Sequence, residues 1–167
     1  NSQLLGNEER EKDSHGLGLY ADHVSITMTN STISGHALDG VKIFTDDIIL
    51  NTENSNVENN GTQGYQIEGD LVWNSSNDII TGNGSEGMDL IGNLEWVSQN
   101  DIVSSNGGKG LDIDGNVSWN SDVDEINNNG GTGIDITGSL TLDADSSEWM
   151  GNSGNGVVAT GSNSSVI

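Results

Sequence analysis

The sequence predicts an all-β solenoid: about six to seven coils of 23–24 residues, with three short strands in each. Three observations carry this. Segments beginning with glycine recur at Gly16, Gly40, Gly64, Gly87, Gly110, Gly133 and Gly156, at spacings of 24, 24, 23, 23, 23 and 23 residues. Within each segment apolar and polar residues alternate, which is the two-residue period of a strand. Hydrophobic residues make up only 31% of the 167-residue chain. That is low for a globular domain and would suit disorder, but disorder keeps no such register. Stacked coils reconcile the two, because about five inward residues per coil build a continuous thin core.

The first strand of each coil supplies one inward pair: Leu17/Leu19, Val41/Ile43, Tyr65/Ile67, Met88/Leu90, Leu111/Ile113, Ile134/Ile136 and Val157/Ala159. The second strand supplies Val24/Ile26, Ile48/Leu50, Leu71/Trp73, Leu94/Trp96, Val117/Trp119 and Leu140/Leu142. The third contributes a single column, Ile33, Val57, Ile80, Val103, Ile126 and Trp149. Between them lie Gly, Asn, Ser and Asp, which turn the chain by adopting left-handed conformations or bonding their own backbone. Each strand is expected to pair in parallel with its equivalent one coil away, at about 4.8 Å, giving a rod of roughly 30 Å. Trp73, Trp96 and Trp119 lie two residues after an inward aliphatic, so they are expected to stack inside the core.

Asn60, Asn83, Asn106, Asn129 and Asn152 fall at one position, three residues after the inward aliphatic of the third strand, and His36 holds that position in the first full coil. The motif formed by Asn77, Ile80, Asn83, Gly87 and Gly92 resembles the repeat of the right-handed parallel β-helix superfamily, the pectate-lyase-like proteins. The resemblance covers residues 16–167 and is closest to non-catalytic rods of surface proteins and adhesins. It implies that the asparagines turn inward at a corner and bond the next coil. It is nearly silent about function, because one fold hosts many sites.

Residues 1–15 read as a capping or linker segment, with the mixed-charge run NEEREKDS closing the first coil. Tyr20 and Phe44 occupy adjacent outward positions and are a candidate ligand-binding pair. The competing reading covers them with residues 1–15, using Leu4 and Leu5. At the other end no cap is visible, and the chain starts without Met. Both facts suggest a piece of something longer, or a subunit abutting another coil.

Charge is lopsided: 26 acidic residues against 4 basic give a formal −22. No basic patch is available for phosphates, so nucleic-acid binding is not expected. No stretch approaches the roughly 18 apolar residues of a membrane span. With no Cys, disulfides and thiolate metal sites are excluded. The aspartates fall in columns: Asp22, Asp46 and Asp70 at the first corner; Asp78, Asp101 and Asp124 before the third strand; Asp89, Asp112 and Asp135 outward on the first strand. Carboxylates about 5 Å apart need screening, protonation or a cation. Ca2+, which takes several oxygen ligands, is therefore the one cofactor the pattern suggests. The alternative is a solvated anionic surface.

These features favour a non-catalytic extracellular or cell-surface segment, adhesive or structural, whose partners are further coils or copies end to end. A Ca2+-dependent module binding surface glycans is the alternative. A polysaccharide-active enzyme comes third: Asp46, Asp47 and His36 could share acid and base work. Yet the only Arg is Arg10, and only Lys42 and Lys109 lie on the coils. So acidic a surface repels polyanionic substrates.

Overall fold

The structure, a computed structural model, describes the backbone of Ser2–Leu5 and residues 14–167 in full. Among the described residues there is no helix. The strands stack in parallel into a solenoid of about seven turns. The third strands form one sheet, ordered from Ser2–Leu5 through Ser31–Ser34, Asn56–Glu58, Ile79–Thr81 and Ile102–Ser104 to Glu125–Asn127. Ser2–Leu5 pairs there with Ser31–Ser34, Leu4 opposite Ile33. The run NEEREKDS falls almost wholly outside the described residues, as do the side chains of Leu4 and Leu5.

First and second strands share the other sheet. The sequence suggests three separate strands per coil, but in two coils the first and second run on as Val41–Glu53 and Tyr65–Ser76. The bend between them keeps the ladder hydrogen-bonded, so the corner is a kink within a strand. From Tyr65 onward successive coils pair residue for residue, as in Leu71, Leu94, Val117 and Leu140.

The pairing of Val41–Glu53 with Tyr65–Ser76 carries a register shift, between Phe44 and Asp47. Phe44 pairs with Glu68 and Asp47 with Asp70, so Thr45 and Asp46 stand where the next coil has Gly69 alone. This locates the extra residue of a 24-residue coil. The shorter corner demands glycine: Gly92 has φ +147°, and a Cβ there would lie 2.2 Å from the Gly69 carbonyl oxygen.

The two other corners share one device. At each, a residue with positive φ reverses the chain and the next side chain turns inward. One corner uses Asn30, Asn54, Asn77, Asn100, Val123 and Ser146; the other uses Gly35, Asn59, Gly82, Ser105, Asn128 and Gly151.

The apolar columns fill the interior, with Leu50, Leu90, Leu111 and Ile134 fully buried. Trp73, Trp96 and Trp119 are buried and stack with ring centroids 4.7 and 4.4 Å apart and planes within 10°. Trp149 meets Trp119 edge-on at 6.1 Å. Each indole N–H of the stack donates to a hydroxyl of the preceding coil: Trp73 to Thr52, Trp96 to Ser75 and Trp119 to Ser98, at 2.6–2.8 Å. That is the satisfied arrangement a buried indole requires.

Candidate functional site

The inward asparagines form a continuous ladder. Asn83 Nδ2 donates to Asn106 Oδ1 at 3.0 Å and to the Val57 carbonyl at 3.2 Å, while its backbone N–H donates to the same Asn106 Oδ1. Asn60, Asn106 and Asn129 repeat these bonds, and Asn152 receives the last of them. His36 is buried and its N–H donates to Asn60 Oδ1. The backbone N–H groups of Asn60, Asn83, Asn106 and Asn129 at the bend are thus answered within the stack.

A second ladder stands at the corner between second and third strands. Asp78, Asp101 and Asp124 are buried. Their Oδ1 atoms accept the backbone N–H of Ser55, Asp78 and Asp101 at 2.7–2.8 Å. Ser147 continues the column, accepting from Asp124 N–H. Asp124 Oδ2 accepts the hydroxyls of Ser98 and Ser121. The Oδ2 atoms of Asp78 and Asp101 have no hydrogen-bond partner of ordinary geometry, although the hydroxyls of Thr52 and Ser75 lie beside them. Burial raises all three carboxyls, and Asp101, with Asp78 and Asp124 next to it, is pushed up to about 7. The column is buried rather than a solvated surface, and burial, then the neighbouring carboxyls, favours its protonated form.

The first-corner column needs correction. Asp22 and Asp46 are neighbours, but Asp70 stacks on Asp47, because the extra residue of the second coil displaces Asp46. Asp47 Oδ2 lies 3.0 Å from His23 Nδ1, both exposed. Asp70 Oδ1 accepts the N–H and Nδ2 of Asn93, and Asn93 does the same for Asn116, which makes an outer ladder. His36, at the corner after the third strand, is not brought to Asp46 and Asp47 at the corner after the first.

Asp89, Asp112 and Asp135 are half-buried in register along the first strand. Lys109 Nζ bridges Asp112 at 2.9 Å and Asp135 at 2.7 Å. Partial burial opposes its charge, but Asp135 and Asp112 outweigh this and raise its pKa. Asp89 is left outside the bridge, and burial, then Asp112, raises its carboxyl. Asp39, buried, is held by His15 at 3.0 Å, Lys42 at 3.8 Å and the Thr62 hydroxyl. Among the described residues, no three His, Asp or Glu side chains are placed to hold one ion.

Tyr20 and Phe44 stack with centroids 5.3 Å apart and planes 15° apart, and Lys42 Nζ lies 5.2 Å from the Phe44 ring. Tyr20 is exposed and Phe44 half-buried. A groove of about 650 Å³, which the sequence does not reveal, crosses the coils at the first corner, lined by Ile49, Val72 and Asn116 with Asp47, Asp70 and Glu95. It arises from the kink, which needs tertiary geometry to locate.

No protein-family model, curated protein or solved structure matches the chain.

Proposed function

We propose that this chain is a non-catalytic structural or adhesive segment of an extracellular surface protein or filament, a right-handed parallel β-helix whose outer carboxylates take up Ca2+. The observation that carries this reading is the evenness of the stack. From Tyr65 to Asp145 each coil repeats the last without a register shift, and no inserted loop walls a cleft among the described residues. The strand Val157–Ala159 pairs on one side only among the described residues. A parallel stack accepts another strand at such an edge with the hydrogen bonds it uses inside, so further coils or copies, end to end, are the natural partners.

Sedimentation velocity and electron microscopy over a concentration series test this. Rods that lengthen with concentration are expected, and monomers alone at every concentration reject the assembly. The groove and the Tyr20–Phe44 pair favour a second reading, binding of surface glycans, which retention on immobilised polysaccharides would support. An enzyme is the least supported reading. The groove presents Asp47, Asp70 and Glu95 but no Lys, Arg or His in its lining, while Lys109 is tied to Asp112 and Asp135. Release of sugar products that disappears in Asp47→Asn would overturn it.

A further inference from the structure

Five Asn–Gly pairs occur in the chain: Asn60–Gly61, Asn83–Gly84, Asn106–Gly107, Asn129–Gly130 and Asn155–Gly156. Asparagine is the thermally labile amide, and a following glycine, with no Cβ, leaves its backbone nitrogen least hindered. The reaction is intramolecular. The glycine nitrogen loses its proton and attacks Cγ of the preceding asparagine, the Cγ–Nδ2 bond breaks and ammonia leaves. Water then opens the cyclic imide to aspartate or isoaspartate.

Four pairs belong to the inner ladder, and both reactants are held there. The N–H groups of Gly61, Gly84, Gly107 and Gly130 donate to carbonyls one coil back at 2.7–2.9 Å. The asparagine amides are buried and bonded on Oδ1 and Nδ2, so Cγ cannot swing onto the nitrogen.

The fifth pair differs in every respect. Asn155 is exposed, and its side chain makes no hydrogen bond among the described residues. Its carbonyl accepts Gly133 N–H at 2.8 Å, but among the described residues Gly156 N–H has no backbone partner. Space is open too: a Cβ on Gly156 would meet nothing nearer than the Trp149 carbonyl oxygen at 3.4 Å.

We propose that Asn155–Gly156 is a covalent modification site at which the folded chain deamidates spontaneously while the edge at Val157–Ala159 is uncovered, and that the ladder preserves the other four pairs. The product carries one more negative charge. In its isoaspartyl form it also carries an extra backbone carbon where the strand Val157–Ala159 begins.

The test is incubation of the full chain in warm, mildly alkaline buffer, with peptide mass mapping over time. Only the peptide spanning residue 155 is expected to gain the mass of an amide-to-acid exchange in the native protein, whereas all five pairs react in urea. Gly156→Ala fits the open space and is expected to slow the native reaction by an order of magnitude or more. Two results overturn the proposal: conversion of the ladder asparagines as fast as Asn155, or an unreactive Asn155 under conditions where the urea-unfolded chain reacts.

Discussion

Val123 holds φ +59°, a left-handed conformation that β-branched residues rarely adopt. Asn30, Asn54, Asn77 and Asn100 take the same corner position at φ 49–55°. They do so at little cost, because a short polar side chain bonds locally. Burial gives Val123 no compensation, since the residue is 47% exposed. Val123→Asn is therefore expected to stabilise the protein by about 1 kcal/mol. It would also extend the outer amide stack in which Asn100 Nδ2 donates to Asn77 Oδ1 at 2.8 Å. Urea unfolding measures it, and a midpoint at or below that of the parent would show that no strain is stored there. The same residue scale explains what the sequence reveals. Asn83 and Asn106 are readable as an inner ladder through the resemblance to the β-helix repeat, and an amide, which never ionises, suits a buried corner. Asp78 and Asp101 invite a surface reading because a carboxyl is normally charged. The available clue is that Ser55 and Ser147 hold the same column, and small hydrogen-bonding residues suit an inward corner.

At the scale of the corner, the acidic ladder makes folding depend on pH. The groups facing it are acidic: Glu53 and Asp122 beside its ends, and the carboxyls on one another. Tyr65, whose hydroxyl burial and then Asp78 and Asp101 keep protonated, packs within reach. None of the ion pairs of the described residues includes Asp78, Asp101 or Asp124. A carboxyl raised in the folded state favours folding while it is protonated. This stability is complete below the ordinary carboxyl pKa near ~4 and is lost as pH climbs through the folded value, about 7 for Asp101. Asp101→Asn keeps an Oδ1 acceptor for Asp78 N–H and removes the ionisation. It is expected to raise stability at pH 8 by roughly 2 to 4 kcal/mol and to flatten the profile between about pH 4 and 7. Thermal melts in ~0.5 M NaCl, where surface charges are screened, isolate the effect. A variant that keeps the parental slope would remove the ladder as its source. The other corner difference, one extra residue at Thr45–Asp46, shows why the sequence gives coil lengths but not registers. The spacing of 24 announces an insertion, and only the pairing of Asp47 with Asp70 places it.

Across the whole molecule, parallel stacking converts a repeated sequence into repeated charge. Because equivalent residues pair, an aspartate retained in two coils faces its copy: Asp89 meets Asp112, Asp112 meets Asp135, and Asp122 meets Asp145. Like charges opposite one another destabilise a sheet, and the formal −22 adds longer-range repulsion along the rod. Lys109 relieves only one stretch, between Asp112 and Asp135. Two remedies remain, and they separate experimentally. Screening depends on ionic strength alone, and the Debye length falls from about 30 Å at 0.01 M to about 3 Å at 1 M. A bound cation depends on its identity, because Ca2+ gathers carboxylate oxygens that Na+ merely screens. The melting temperature is therefore expected to rise with NaCl and to rise further when Ca2+ replaces Na+ at equal ionic strength. Asp89→Asn should reduce the Ca2+ increment if the first-strand column holds the ion. Asp145→Asn should reduce it instead if the second-strand pair does. Equal melting curves in the two salts would assign the whole response to screening and remove Ca2+ from the proposed function. The rod would then depend on the salinity of its medium rather than on a particular ion.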